Sequence, residues 1–116
     1  LTRTHRLRER NPIITKKKKT QVLDQTGKLE CTVCGFNFAT VYGHIGNGFA
    51  ECHHNKPVSE LVPGEKTKLS DLSIICANCH RMIHRAKPWL SPGELRSRIE
   101  LEKANQSLQQ TANRRR

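Results

Sequence analysis

Asp71-Leu72-Ser73-Ile74-Ile75-Cys76-Ala77-Asn78-Cys79-His80-Arg81-Met82-Ile83-His84 is the stretch whose reading decides the fold. Leu72 to Cys76 is a short apolar run of strand length. Cys76-Ala77-Asn78-Cys79 then makes a tight turn with two thiols aimed one way. A short helix is expected from Asn78 to about Arg85, ending before Pro88. On that helix His80 and His84 stand four apart and share one face.

Working outward, the second Cys-x-x-Cys lies upstream at Cys31-Thr32-Val33-Cys34, with 41 residues between the pairs. Two such turns complete a tetrahedral site, and Zn²⁺ accepts four thiolates at about 2.3 Å each. No open coordination position remains, so Cys31, Cys34, Cys76 and Cys79 predict a structural zinc, not a catalytic one. A redox pair or two disulfides are the rivals, and neither accounts for the duplication. Cys52 is left over and is expected to be a small buried hydrophobe on a first strand. That strand reads Phe49-Ala50-Glu51-Cys52-His53-His54 and is stopped by Pro57. Strand, loop, strand, helix is the expected order, a small α+β unit.

The insert between the cysteine pairs carries His53 and His54. His53 can add a third nitrogen to His80 and His84, and three protein ligands with an open position describe a catalytic metal site. Neighbours on a regular strand point to opposite faces, so His54 is not expected among the ligands. The strand should end near Asn55-Lys56-Pro57, letting His53 and His54 flank one substrate. An imidazole with an ordinary pKa of about 6.5 suits His54 to take a proton from water as a general base. The alternative stays open that all four histidines lie on a plain zinc-ribbon surface.

The chain has 116 residues, of which 34% are hydrophobic, so any single core is small and a staple is needed. Its formal charge of +11 points to polyanionic partners, nucleic acid first and an anionic membrane surface as the rival. No segment approaches the roughly 18 apolar residues of a membrane span. No apolar signal-peptide core follows the N-terminus. The expectation is an intracellular, cytoplasmic protein, or a domain of something longer.

Three segments are expected: a basic N-terminal arm or helix at 1–27, the metal-bearing unit at 28–87, and a C-terminal helix with a basic tail at 88–116. The first contains Lys16-Lys17-Lys18-Lys19, either a solvated face or an arm that tracks phosphates. A helix from about Ile13 to Asp24 should stop at Gly27. In the last segment, Ser91-Pro92-Gly93-Glu94 is a good helix start. Leu95, Ile99 and Leu101 form a partial apolar stripe expected to pack back on the core. Beyond Ala104 the sequence is polar, and Arg114-Arg115-Arg116 is expected to fray.

Taken together, Glu51-Cys52-His53-His54-Asn55-Lys56-Pro57 and the Asp71–His84 stretch resemble the HNH endonucleases, most of all a restriction-type branch with a four-Cys zinc site. The resemblance runs from about Lys28 to Arg85. Cys34-Gly35-Phe36-Asn37-Phe38 and Tyr42-Gly43-His44-Ile45-Gly46 also look like that branch. It implies a ββα-metal fold, with His53 and His80 as metal ligands, His54 as base, and His84 as the extra ligand of colicin-type DNases. Glu51 matches an acid that in those DNases pairs with an arginine near the scissile phosphate. The family's middle Asn falls on Asp71 here, giving a His-Asp-His variant in which Asp71 would hold the base's ring. The alternative is that Asp71 merely caps a turn.

The implied activity is metal-dependent hydrolysis of DNA, leaving 5′-phosphate and 3′-hydroxyl ends. Structural Zn²⁺ and a second divalent metal (Mn²⁺, Ni²⁺, Co²⁺, Mg²⁺ or Zn²⁺) are the implied cofactors. Lys56, Arg81, Arg85 and Lys16 to Lys19 are the candidates for phosphate contacts. A bacterial or phage origin, a homodimer, and a place within a larger restriction enzyme are further expectations. A non-catalytic, zinc-binding DNA-binding module is the alternative.

Overall fold

A computed structural model describes residues 12–55 and 67–114. Its first element, helix α1, is Pro12–Thr26. Proline suits the first helical position, where its missing N–H is no loss. The helix stops where expected: Gly27 takes φ 77° and its N–H returns to the Leu23 carbonyl at 2.8 Å, a left-handed end that favours glycine. This basic helix is not detached, since Val22 packs on a buried cluster of Leu29, Ala50, Cys52 and Ile74. Cys52 is thus the small buried hydrophobe that its strand position suggests.

Between the first cysteine knuckle and the sheet lies helix α2, Phe38–Tyr42, which the turn-rich sequence did not announce. Asn37 caps it, its Oδ1 accepting from the N–H groups of Ala39 and Thr40 at 2.9 and 3.3 Å. A 3-10 turn, Gly43–Gly46, follows. Gly46 is fixed by a close approach: a Cβ there would overlap the Phe38 carbonyl. The two glycine-flanked pieces fold as one compact unit because Phe38 meets Phe36 and Phe49 edge-on, with centroids 4.8 and 4.7 Å apart.

Strands β1, Glu51–His54, and β2, Leu72–Ile75, pair antiparallel. Glu51 stands opposite Ile75, Cys52 opposite Ile74, His53 opposite Ser73 and His54 opposite Leu72. Both strands are shorter than their apolar runs. Cys76 leaves the ladder to become the N-cap of helix α3, Ala77–Arg85, its sulfur accepting from the Cys79 N–H at 3.4 Å. With Cys76 turned away, Ala50 and Phe49 have no ladder partner and β1 begins at Glu51.

Pairing of opposite residues sorts the sheet into two faces. Cys52 and Ile74 face the α1 side, within the cluster that Val22 joins. Ile75, fully buried, faces the other side and packs with Ile83 of α3, with Cys31, Cys76 and Cys79, and with Leu90 and Leu95. The last two introduce helix α4, Pro92–Arg114. Its start is the expected reciprocal cap: Glu94 N–H donates to Ser91 Oγ and Ser91 N–H to Glu94 Oε1, both at 3.1 Å.

Helix α4 departs from expectation at its far end. Leu95 is buried and Ile99 packs against the core, but Leu101 is 63% exposed and does not join them. At about 100° per residue, Leu101 lies about 200° round the helix from Ile99, off the buried stripe. The polar stretch beyond Ala104 stays helical to Arg114. Same-face pairs, such as Gln106 to Glu102 at 3.5 Å, support it. Arg115, Arg116 and the candidate Lys56 lie outside the described residues. Among the described residues, no helix is long and apolar enough to cross a membrane.

Candidate metal centre and active site

The four cysteines converge. Cys31, Cys34, Cys76 and Cys79 bring their sulfurs within 4.8 Å of one another, and Cys34 Sγ lies 3.7 Å from Cys76 Sγ. Four thiolates bound at about 2.3 Å around one ion would stand about 3.8 Å apart, so the donor set and spacing fit zinc. The first knuckle is held by Cys31 N–H to the Phe36 carbonyl and Gly35 N–H to the Cys31 carbonyl, both 2.9 Å. Thr32 N–H reaches the Ile74 carbonyl at 2.9 Å, tying that knuckle to β2.

Electrostatics favour a cation in this cluster. Burial pushes the Cys79 thiol far above its ordinary value, and the neighbouring sulfurs push it further. Burial also raises Cys76. Burial alone would raise Cys31 too, but the N–H groups of Cys34, Cys76 and Val33 turned toward it hold it below its usual value. Four sulfurs this close cannot all ionise unaided, and a bound divalent cation removes that repulsion.

The histidines form a second cluster. His53 on β1 and His80 and His84 on α3 bring ring nitrogens within 4.8 Å of one another. Their ring centroids are 4.9 to 5.5 Å apart. Ile83, fully buried, pins α3 onto the sheet and thereby turns the neighbouring His80–His84 face toward β1. His80 N–H bonds the Cys76 carbonyl at 3.0 Å, so the zinc knuckle sets where the ligand-bearing helix starts. Three imidazoles gathered this closely suit a divalent transition metal.

His54 is 4% exposed and is not one of the three clustered histidines. Its pairing with Leu72 puts it on the face of Cys52, the alternation expected of a regular strand. Just past it the chain leaves the sheet: Asn55 N–H bonds the Asp71 carbonyl at 2.8 Å, and Ser73 Oγ donates to Asn55 Oδ1 at 2.9 Å. The Asp71 carboxylate accepts from the Lys68 N–H at 3.1 Å across the 3-10 turn Leu69–Asp71, which is its turn-capping alternative.

Of two further neighbours of the triad, the sequence named one with a different partner and missed the other. Glu51 Oε1 lies 2.8 Å from His80 Nδ1, so its partner among the described residues is a histidine, where the resemblance suggested an arginine. The register supplies the signal that was there to find: Glu51 and His53, two apart, share the face that meets α3. Trp89 stands edge-on to His84 with centroids 4.2 Å apart. Nothing in its sequence context marks it except being the lone tryptophan just beyond the ligand helix. Leu90 N–H bonds the Ile83 carbonyl at 3.4 Å and Leu90 is buried, which fixes where Trp89 falls.

The basic candidates are spread over two helices. Lys16 and Lys17 are exposed on α1, and Lys19 lies over the Phe49 ring at 5.8 Å. Arg81 and Arg85 are exposed on α3, next to the histidine pair.

A four-cysteine cluster stapling a two-stranded sheet and a helix, with a histidine triad between them, defines a small α+β domain with a ββα-metal core. Residues 31–86 match the family model described as HNH endonuclease. No curated protein and no solved structure matches the chain.

Proposed function

We propose that this domain is a metal-dependent endonuclease that hydrolyses phosphodiester bonds of DNA, with His54 as the general base. The observation that carries the reading is the convergence of His53, His80 and His84 beside the strand end that bears His54. In this role His54 takes the proton of the attacking water as the general base. His53, His80 and His84 would hold a divalent metal, which would supply positive charge to offset the charge developing on the phosphate and the leaving 3′ oxygen. Asp71 acts as the brace in this His-Asp-His variant: it holds Asn55 by its carbonyl and its own turn by its carboxylate, and so places His54.

In this reading the cysteine cluster holds structural zinc and makes no contact with substrate. Arg81, Arg85 and Lys16 to Lys19, with Lys56, contact phosphates and position the duplex without reading sequence. The segments 1–27 and 88–116 flank the nuclease unit 28–87, as in a restriction-type enzyme. Cutting both strands takes two such units or two successive nicks.

The test is supercoiled plasmid incubated with a panel of Mn²⁺, Ni²⁺, Co²⁺, Mg²⁺ and Zn²⁺. Nicking by the wild type and its loss in His54→Ala are expected. No nicking with any metal, or equal nicking by the variant, would leave a zinc-bearing DNA-binding module as the better account.

A further inference from the structure

The contact between Glu51 and His80 has a consequence for which nitrogen binds metal. At neutral pH a carboxylate accepts hydrogen bonds and cannot donate them. At 2.8 Å from Glu51 Oε1, His80 Nδ1 must therefore carry the ring proton. A neutral imidazole has one N–H, so the lone pair is left on Nε2. The carboxylate is held by the sheet, opposite Ile75 and on the same face as His53. Its side chain is 36% exposed and the His80 side chain 12%. The backbone of His80 is fixed separately, by its N–H to the Cys76 carbonyl at 3.0 Å. With main chain and Nδ1 both held, the ring has one orientation left.

We infer that Glu51 is a positioning residue for the histidine triad: it fixes His80 as the Nδ1–H tautomer, presents Nε2 as the ligand atom, and so sets the affinity for a divalent transition metal. This rests on the reading of His53, His80 and His84 as a metal site. A carboxylate behind a ligating histidine fixes ring orientation and raises ligand basicity, and its loss typically costs on the order of 10- to 100-fold in metal affinity. Its charge adds to the attraction for a dication. Glutamine at 51 can still accept from Nδ1–H without charge, so the two contributions separate.

The experiment titrates Ni²⁺ into the full chain with its cysteine cluster zinc-loaded, by calorimetry and by quenching of Trp89, which lies beside His84. Nitrogen-15 spectra of the histidine rings report the His80 tautomer without metal. Wild type is expected to bind one Ni²⁺ and His53→Ala to lose it. Glu51→Gln should keep the Nδ1–H tautomer and bind several-fold more weakly. Glu51→Ala should show mixed tautomers and bind 10- to 100-fold more weakly, with zinc content and melting temperature unchanged. Should Glu51→Ala fail to fold, Glu51→Gln and the wild-type tautomer still decide. Nickel binding lost in His53→Ala but within twofold of wild type in both Glu51 variants, or an Nε2–H tautomer in wild-type His80, overturns the inference alone. Failure of the wild type to bind Ni²⁺ overturns both it and the metal-site reading.

Discussion

The cysteine cluster and the histidine cluster share an anchor and differ in almost everything else. Each cysteine pair is a local turn, with two residues between its cysteines and its own backbone hydrogen bond to a sulfur: Cys34 N–H to Cys31 at 3.5 Å and Cys79 N–H to Cys76 at 3.4 Å. Four thiolates close the coordination sphere. The histidine cluster has only one local pair, His80 and His84, and borrows its third nitrogen from a strand roughly thirty positions away. It gathers three nitrogens, one short of a tetrahedral set. A closed site stores folding free energy; an open one leaves room for chemistry. Cys79 and His80 are adjacent residues, so the staple directly sets the geometry of the open site.

The largest expected effect separates the two clusters by stability. Cys79→Ser removes one zinc ligand, and structural zinc in small domains contributes about 10–16 kcal/mol of apparent binding free energy. The variant should be unfolded by circular dichroism, as should wild type under strong chelation. A folded, zinc-free variant would sink the staple.

Next is activity without stability. His54→Ala should lower nicking on the order of 10²- to 10⁴-fold while Ni²⁺ binding stays within twofold of wild type. Loss of nickel binding in that variant would place His54 among the ligands and contradict the division between the two faces of β1.

Ile83→Ala tests the link between the clusters. Ile83 is fully buried beneath α3, between Cys79 and the His80–His84 face. Truncation should cost about 2–5 kcal/mol in denaturant melts of the zinc-loaded protein. Ni²⁺ affinity should fall with it, because α3 loses the packing that aims its histidines. Unchanged affinity would mean that the zinc knuckle alone orients the helix.

The smallest expected effect is at Asp71. An asparagine there can accept from the Lys68 N–H and leaves the carbonyl bond to Asn55 intact. Asp71→Asn should keep activity within about threefold and stability within about 0.5 kcal/mol. A hundredfold loss in a folded variant, with a shifted pH–rate profile, would show that the Asp71 charge acts on the His54 ring directly.

Much of this was legible beforehand because it rests on short-range rules. The ends of α1 follow from Pro12 and Gly27, and the start of α4 from the Ser91 and Glu94 pair. The His80–His84 pair follows from helical period. Helix α2 was missed because its glycine-rich flanks read as turns, and a five-residue helix has too little periodicity to show. Leu101 was assigned to the core because apolar character says nothing of how far a neighbouring surface extends; the core ends near Ile99. The length of β1 was overread because pairing is limited by its partner, and Cys76 turns away to cap α3.

By itself the sequence determined the donor sets: two Cys-x-x-Cys pairs for a closed site, and adjacent and helical histidines for an open one. Ligand chemistry and turn geometry are properties of a few contiguous residues, so spacing suffices. Only the tertiary structure decided which side chains stand behind the ligands. Glu51 on His80, Trp89 on His84 and Asp71 on its own turn depend on strand register and on where two helices cross the sheet. Those are set by packing among residues far apart in the chain, where a shift of one position turns every side chain to the other face.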